Sequence, residues 1–206
     1  GCMAWCACCA CIKKLEEIWW RGSLRRVEAL LADPTNQATK ALCTVHGIGG
    51  TKAKQLIDEY KVTSVDALRK QMDRLPLTVL SEPSRSYLKH YEELQKPIPR
   101  DEITSIAAAI AKVALDVDKR ICTETCGSYR RGKEMSHDVD ILLWLSDDKH
   151  EDGHLTLLER VVPRLVEAGI ITCDLNNSHK ENSPSRTFTG LCRLNKSHMQ
   201  RRLDLR

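Results

Sequence analysis

Asp138 and Asp140 flank Val139 in Asp138-Val139-Asp140-Ile141-Leu142-Leu143-Trp144, a run with the composition of a strand. Side chains of a strand alternate faces, so both carboxylates share one face while Val139 enters a core. Two such carboxylates repel, and hard cations that accept carboxylate and phosphate oxygens remove that cost. On its own such a triplet, common by chance, reads as two solvated aspartates on an exposed face. Its surroundings favour chemistry. Upstream, Gly127-Ser128 stands at a strand end, where the backbone can approach a phosphate and offer N–H and hydroxyl donors. Arg130, Arg131 and Lys133 add positive charge, and arginine binds phosphate through two donors at once. A third acid, Asp204, alternates with Leu203 and Leu205 in Arg201-Arg202-Leu203-Asp204-Leu205-Arg206, so it projects alongside Arg202 and Arg206. Three carboxylates and a set of phosphate donors are the parts that metal-assisted phosphoryl or nucleotidyl transfer requires.

These parts need a scaffold. From Ile121 to Cys126 the chain is short, apolar and β-compatible, and Leu155 to Glu167 has a helical period that ends near Gly169, a C-cap residue. Ile170–Leu175, Thr187–Leu194 and Arg202–Arg206 read as strands, and Asp101 to Asp118 as one long helix with an acidic start. The second half is therefore expected to be α+β, with helices packed on a mixed sheet. The first half is helical throughout. Residues 13–31 predict two short helices about a Gly22 turn, and Asp33-Pro34-Thr35-Asn36 breaks and caps. Trp19 and Trp20 read as core with partial surface exposure rather than as a base-stacking platform. The segment Gly47-Ile48-Gly49-Gly50-Thr51-Lys52 lies between two helical runs, the arrangement of a helix-hairpin-helix. Its glycines would let the backbone approach a DNA phosphate, with helix N-terminal N–H groups and Thr51 and Lys52 facing the charge. A plain helix–helix turn uses glycine in the same way. Pro97 and Pro99 make a stiff extended link and mark a domain boundary. The expected division is 1–33, 34–97 and 98–206.

Composition is permissive. Among 206 residues, 32 Lys+Arg against 28 Asp+Glu leave a net charge of +4, which allows a nucleic-acid partner without requiring one. The longest mostly apolar stretch, Ile103 to Leu115, carries Thr104, Ser105 and Lys112 and is too short for a membrane helix, which takes about 20 residues. Cys2, Cys6, Cys8, Cys9 and Cys11 crowd the start, where they could hold a soft metal or belong to a frayed end. The other five cysteines are scattered through apolar runs and suggest a reducing compartment. Gly1 stands where an initiator Met would, and the final residues are strand-like, so both ends read as cut from something longer.

With these residues in view, the chain resembles the X-family DNA polymerases from about Lys13 onward. The likeness rests on Gly127-Ser128 through Asp138-x-Asp140, Arg201-Arg202-Leu203-Asp204-Leu205-Arg206, the Gly47-Ile48-Gly49 hairpin, and Ile98-Pro99-Arg100 before the long helix. It implies that Asp138 and Asp140 bind two Mg²⁺ ions, with Mn²⁺ as substitute, and that Asp204 binds the catalytic one and helps deprotonate a primer 3′-hydroxyl. It implies further that Gly127, Ser128, Arg131 and the backbone at His137 hold the incoming dNTP, and that Arg202 lies at the primer end. His137 stands where family members often carry glycine. The implied activity is templated repair synthesis on gapped or nicked double-stranded DNA, by a monomer with no membrane association and a nuclear address, the mitochondrion remaining open. Lys14 aligns with the Schiff-base lysine of the family's lyase domain and reads otherwise as a surface lysine. Family chains continue past the third aspartate with a nucleotide-binding lobe, so these 206 residues alone are expected to polymerise poorly. Two other readings stay open: a non-catalytic DNA-binding protein that keeps the scaffold, and a template-independent nucleotidyltransferase.

Overall fold

A computed structural model describes residues 3–146, 157–176 and 187–206, with the side chains of residues 3–10 left aside. The chain forms two compact units: residues 1–44 with 48–74, and residues 45–47 with 75–206. Residues 75–97, expected with the helical half, thus pack within the second unit.

The first unit is helical: α1 (Met3–Arg21), α2 (Arg25–Ala32), α3 (Pro34–Leu42), α4 (Gly50–Asp58) and α5 (Val65–Gln71). Local chemistry sets its boundaries. Gly22 turns the chain at φ +74°, and Asp33 caps α3 by accepting from the Thr35 and Asn36 N–H groups at 2.7 and 3.1 Å, with Pro34 in the first turn. Ser64 caps α5 through the Ala67 N–H. Ala38, Leu42, Ile48, Ala53, Leu56, Val62 and Leu68 form its interior. By contrast α2 buries none of its residues, and Trp19 and Trp20 are 83% and 82% exposed. The expectation of a partly buried Trp pair is therefore corrected: among the described residues no element covers the outward face of α1.

The second unit holds α6 (Glu82–Lys89), α7 (Tyr91–Leu94), β1 (Ile98–Pro99), α8 (Arg100–Val117), β2 (Ile121–Thr125), α9 (Gly127–Arg130) and β3 (Met135–Ser136). It continues with β4 (Val139–Leu145), α10 (Leu157–Glu167), β5 (Ile171–Asp174), β6 (Phe188–Cys192) and β7 (Arg201–Leu205). The five-stranded sheet runs β2-β4-β7-β6-β5, antiparallel except where β4 and β7 pair in parallel. It is the mixed sheet expected from the sequence. Ile103, Ile106, Ile110 and Ala114 recur at helical spacing along α8 and pack with α10 on one sheet face, over Val139, Ile141, Leu143, Leu203 and Leu205. Burying that face turns Asp138, Asp140, Arg202 and Asp204 to the other. The proline link becomes β1, which pairs with β3 in a two-stranded ribbon, Ile98 opposite Ser136, and leads directly into α8. No helix among the described residues is long and apolar enough to cross a membrane.

Candidate active site

Register assembles the carboxylates. In the parallel pairing, Asp140 of β4 lies opposite Asp204 of β7, between Val139 opposite Leu203 and Ile141 opposite Leu205. Asp138 precedes β4 on the same face. Arg202, two residues before Asp204 on β7, donates from Nη2 to Asp204 Oδ2 at 3.2 Å and stands 3.7 Å from Asp138 Oδ2. Thr189 of β6 donates to Asp204 Oδ1 at 2.6 Å. Asp204 is buried, at 9% exposure, whereas Asp138 and Asp140 are half-buried.

The electrostatics follow from this crowding. Burial and the neighbouring charges of Asp138 and Asp204 hold the Asp140 carboxyl above its ordinary range, against partial relief from Arg206 and Arg202. Burial works against the Arg202 guanidinium, but the Asp204 and Asp138 carboxylates outweigh it and raise its pKa. Arg202 Nε is buried without a hydrogen-bond partner among the described residues, a desolvated donor that an anionic oxygen would satisfy.

Gly127 stands directly against Asp140. It takes φ +60°, and a Cβ there would overlap Asp140 Oδ2, so only glycine lets the turn pass so close to the carboxylate. The Cys126 N–H donates to the Asp140 carbonyl at 2.8 Å and ties this turn to β4. Ser128, in the following single turn, donates from Oγ to the buried Ser136 Oγ at 2.7 Å. Arg100 braces the turn from α8: it donates to the Tyr129 and Lys133 carbonyls at 2.8 and 3.3 Å, and its guanidinium lies 3.8 Å from the Tyr129 ring centroid. Arg131 and His137 are exposed.

The approach to β7 is fixed from outside the sheet. Arg201, 5% exposed, makes two 2.7 Å bonds to Glu102 on α8 and a third to the Lys96 carbonyl at 3.1 Å. Glu93 accepts from the Gln200 N–H at 2.6 Å, a bond that holds the Glu93 carboxyl below its usual range. Neither Glu102 nor Glu93, nor Thr189, was marked by the sequence. Each acts across a long stretch of chain: strand register places Thr189, and helix packing against β7 places Glu102 and Glu93.

The hairpin residues divide between the two units. Gly47 takes φ +78°, and a Cβ there would come within 2.6 Å of Ser84 Oγ; Ile48 is buried. Gly49 precedes α4 in extended backbone, and nothing lies within 4 Å of a Cβ built at Gly49 or Gly50, so the backbone there is open to approach. Thr51 is exposed and Lys52 half-buried in the first turn of α4, and Lys14 is exposed on α1.

Among the described residues no group of three or more His, Cys, Asp or Glu side chains is preassembled as an ion site. The donor set nevertheless fits a hard divalent cation: carboxylate oxygens only, one carboxyl raised by burial and by two like charges, and a counter-charge supplied by the Arg202 guanidinium.

A mixed sheet with parallel-paired acidic strands and a glycine turn against one carboxylate defines a nucleotidyltransferase-type palm. A family model described as DNA polymerase beta palm matches residues 97–206, and the chain belongs to that family, whose members are enzymes of the X-family of DNA polymerases. It is 28% identical to DNA polymerase lambda of Rattus norvegicus over 94% of this chain and 32% of that protein. It is 26% identical to DNA polymerase lambda of Arabidopsis thaliana over 93% of this chain and 35% of that one. With human DNA-directed DNA/RNA polymerase mu it shares 25% identity over 84% of its length and 33% of the relative's. Among solved structures it is similar to Leishmania infantum polymerase beta in a ternary gap complex, with TM-score 0.75 and 26% identity, over 84% of this chain and 57% of that one. The chain thus spans about a third of the length of these curated relatives. Polymerases of this family depend in general on divalent metal ions.

Proposed function

We propose that this chain carries the catalytic palm of a DNA-directed repair polymerase, which transfers dNMP to a primer 3′-hydroxyl in short gaps. The observation that carries this reading is the register of Asp140 opposite Asp204 beside a glycine turn that leaves no room for a side chain. Asp138, Asp140 and Asp204 would hold two Mg²⁺ ions, which when bound supply Lewis-acid activation of the hydroxyl and neutralise phosphate charge. Gly127 and Ser128, with Arg131 and the His137 backbone, receive the triphosphate of the dNTP, the turn being held in place by Arg100. Arg202 sits beside Asp204 at the primer end, its unpartnered Nε ready for an anionic oxygen. The open backbone at Gly49 and Gly50, with Thr51 and Lys52, takes a phosphate of gapped or nicked DNA without reading bases. The relatives' names agree with a DNA substrate, and a nuclear address follows from the same reading.

The test is Mg²⁺-dependent incorporation of dCTP opposite a templating G in a one-nucleotide gap. It compares these 206 residues with a version extended by a family nucleotide-binding lobe, each alongside Asp204→Ala. Incorporation by the extended wild type and not by its Asp204→Ala variant is the expected result. Gap binding without incorporation by either wild-type version would overturn it and leave a DNA-binding scaffold.

A further inference from the structure

Asp204 has two cross-strand neighbours. On the β4 side it meets Asp140; on the β6 side its register partner is Thr189. The Thr189 hydroxyl donates to Asp204 Oδ1 at 2.6 Å, within the short range of O–H bonds to an ionised acceptor, while Arg202 takes Oδ2 at 3.2 Å. One donor on each oxygen fixes the plane of the carboxylate, and each oxygen keeps a lone pair free for a cation.

The strand that carries the hydroxyl is itself closely pinned. Phe188 is buried, and at Gly190 a Cβ would come within 2.6 Å of both the Cys173 carbonyl and the Phe188 ring. The Thr189 carbonyl accepts from the Leu175 N–H at 2.9 Å. Threonine adds its own stiffness, since branching at Cβ restricts χ1. The hydroxyl is thus placed by backbone on both sides.

We infer that Thr189 is a positioning residue, whose hydroxyl holds the Asp204 carboxylate in the orientation that binds a divalent cation. This rests on the reading of Asp138, Asp140 and Asp204 as the cation site. Thr189 touches no substrate; it acts through Asp204, as outer-shell partners do when they orient a ligand before the ion arrives.

The experiment is Mn²⁺ titration of the 206-residue chain, followed by the loss of the free-ion EPR signal, for wild type, Thr189→Val, Thr189→Ser and Asp204→Ala. Valine keeps shape and β-branching without the hydroxyl, and serine keeps the hydroxyl. Expected is about tenfold weaker Mn²⁺ binding in Thr189→Val, with Thr189→Ser restored to within about twofold of wild type. A mere strand-forming role would give the reverse order, because serine is the poorer strand former. Thermal melts confirm folding, and if Thr189→Val melts early, Thr189→Ala against Thr189→Ser makes the same comparison. Weakened binding in Asp204→Ala with wild-type binding in Thr189→Val overturns the role of Thr189 and leaves the cation site standing. Unchanged binding in Asp204→Ala removes the cation-site reading, and this proposal with it.

Discussion

The helical unit and the sheet unit place their candidate functional groups by different means. In the helical unit the Gly49–Gly50 backbone is exposed because of where α4 begins, which is decided within a few residues. In the sheet unit Asp140 meets Asp204 only because β4 and β7 pair in one register, and that register is set by the apolar alternation of both strands. A local site survives distant damage. A registered site depends on every contact that keeps its strands from sliding.

The largest effect should come from the contact that ties β7 to α8. Arg201→Met leaves the Glu102 carboxylate without its guanidinium partner and should cost about 3–5 kcal/mol in urea unfolding, as breaking buried pairs does. A loss near zero would show that the strand is held by its ladder alone. Next is a pair of glycines of similar φ, one in each unit. Gly127→Ala meets both a left-handed backbone and the Asp140 carboxylate, and about 2–3 kcal/mol with loss of Mn²⁺ binding is expected. Gly22→Ala meets only the backbone term, with open space around it, so about 1 kcal/mol is expected. Equal costs by denaturant titration would erase the distinction between the two glycines.

The smallest effect concerns an ion cluster within the sheet unit, in which a half-buried Asp118 meets two more exposed arginines. Hydrogen bonds from Arg120, side chain first and then backbone, with help from Arg160, hold the Asp118 carboxyl far below its usual range. A carboxyl depressed in the folded state adds stability above its unfolded pKa, about 3.9, and loses it as pH falls toward the folded value. Asp118→Asn should therefore be less stable than wild type near neutral pH, and the gap should narrow steadily below about pH 4. A gap that stays constant down to about pH 2 would mean that the carboxylate charge contributes nothing.

Much of this was legible beforehand, and unevenly. Asp33 and Pro34 announced the start of α3 because capping is a matter of adjacent residues. Period two placed Asp138 and Asp140 on one face, and the Leu203-Asp204-Leu205 alternation put Asp204 on the outward face of its own strand. What spacing could not supply was distance between strands. That Asp140 lies opposite Asp204, that Thr189 reaches Oδ1, and that Glu102 grips Arg201 are facts of tertiary register. Trp19 and Trp20 show the opposite failure: apolar helical periodicity implies burial, and the described residues provide no surface to bury them against.

The parallel pairing of β4 with β7 has a kinetic meaning as well. About sixty residues of chain must be gathered before β7 can lie beside β4, and contacts of such separation form slowly because loop closure precedes their reward. No partly folded form lacking β7 can bring Asp204 to Asp140. A cation that binds there recognises only the completed sheet, so by mass action it draws the population toward the finished fold and slows the escape of β7 from its neighbours.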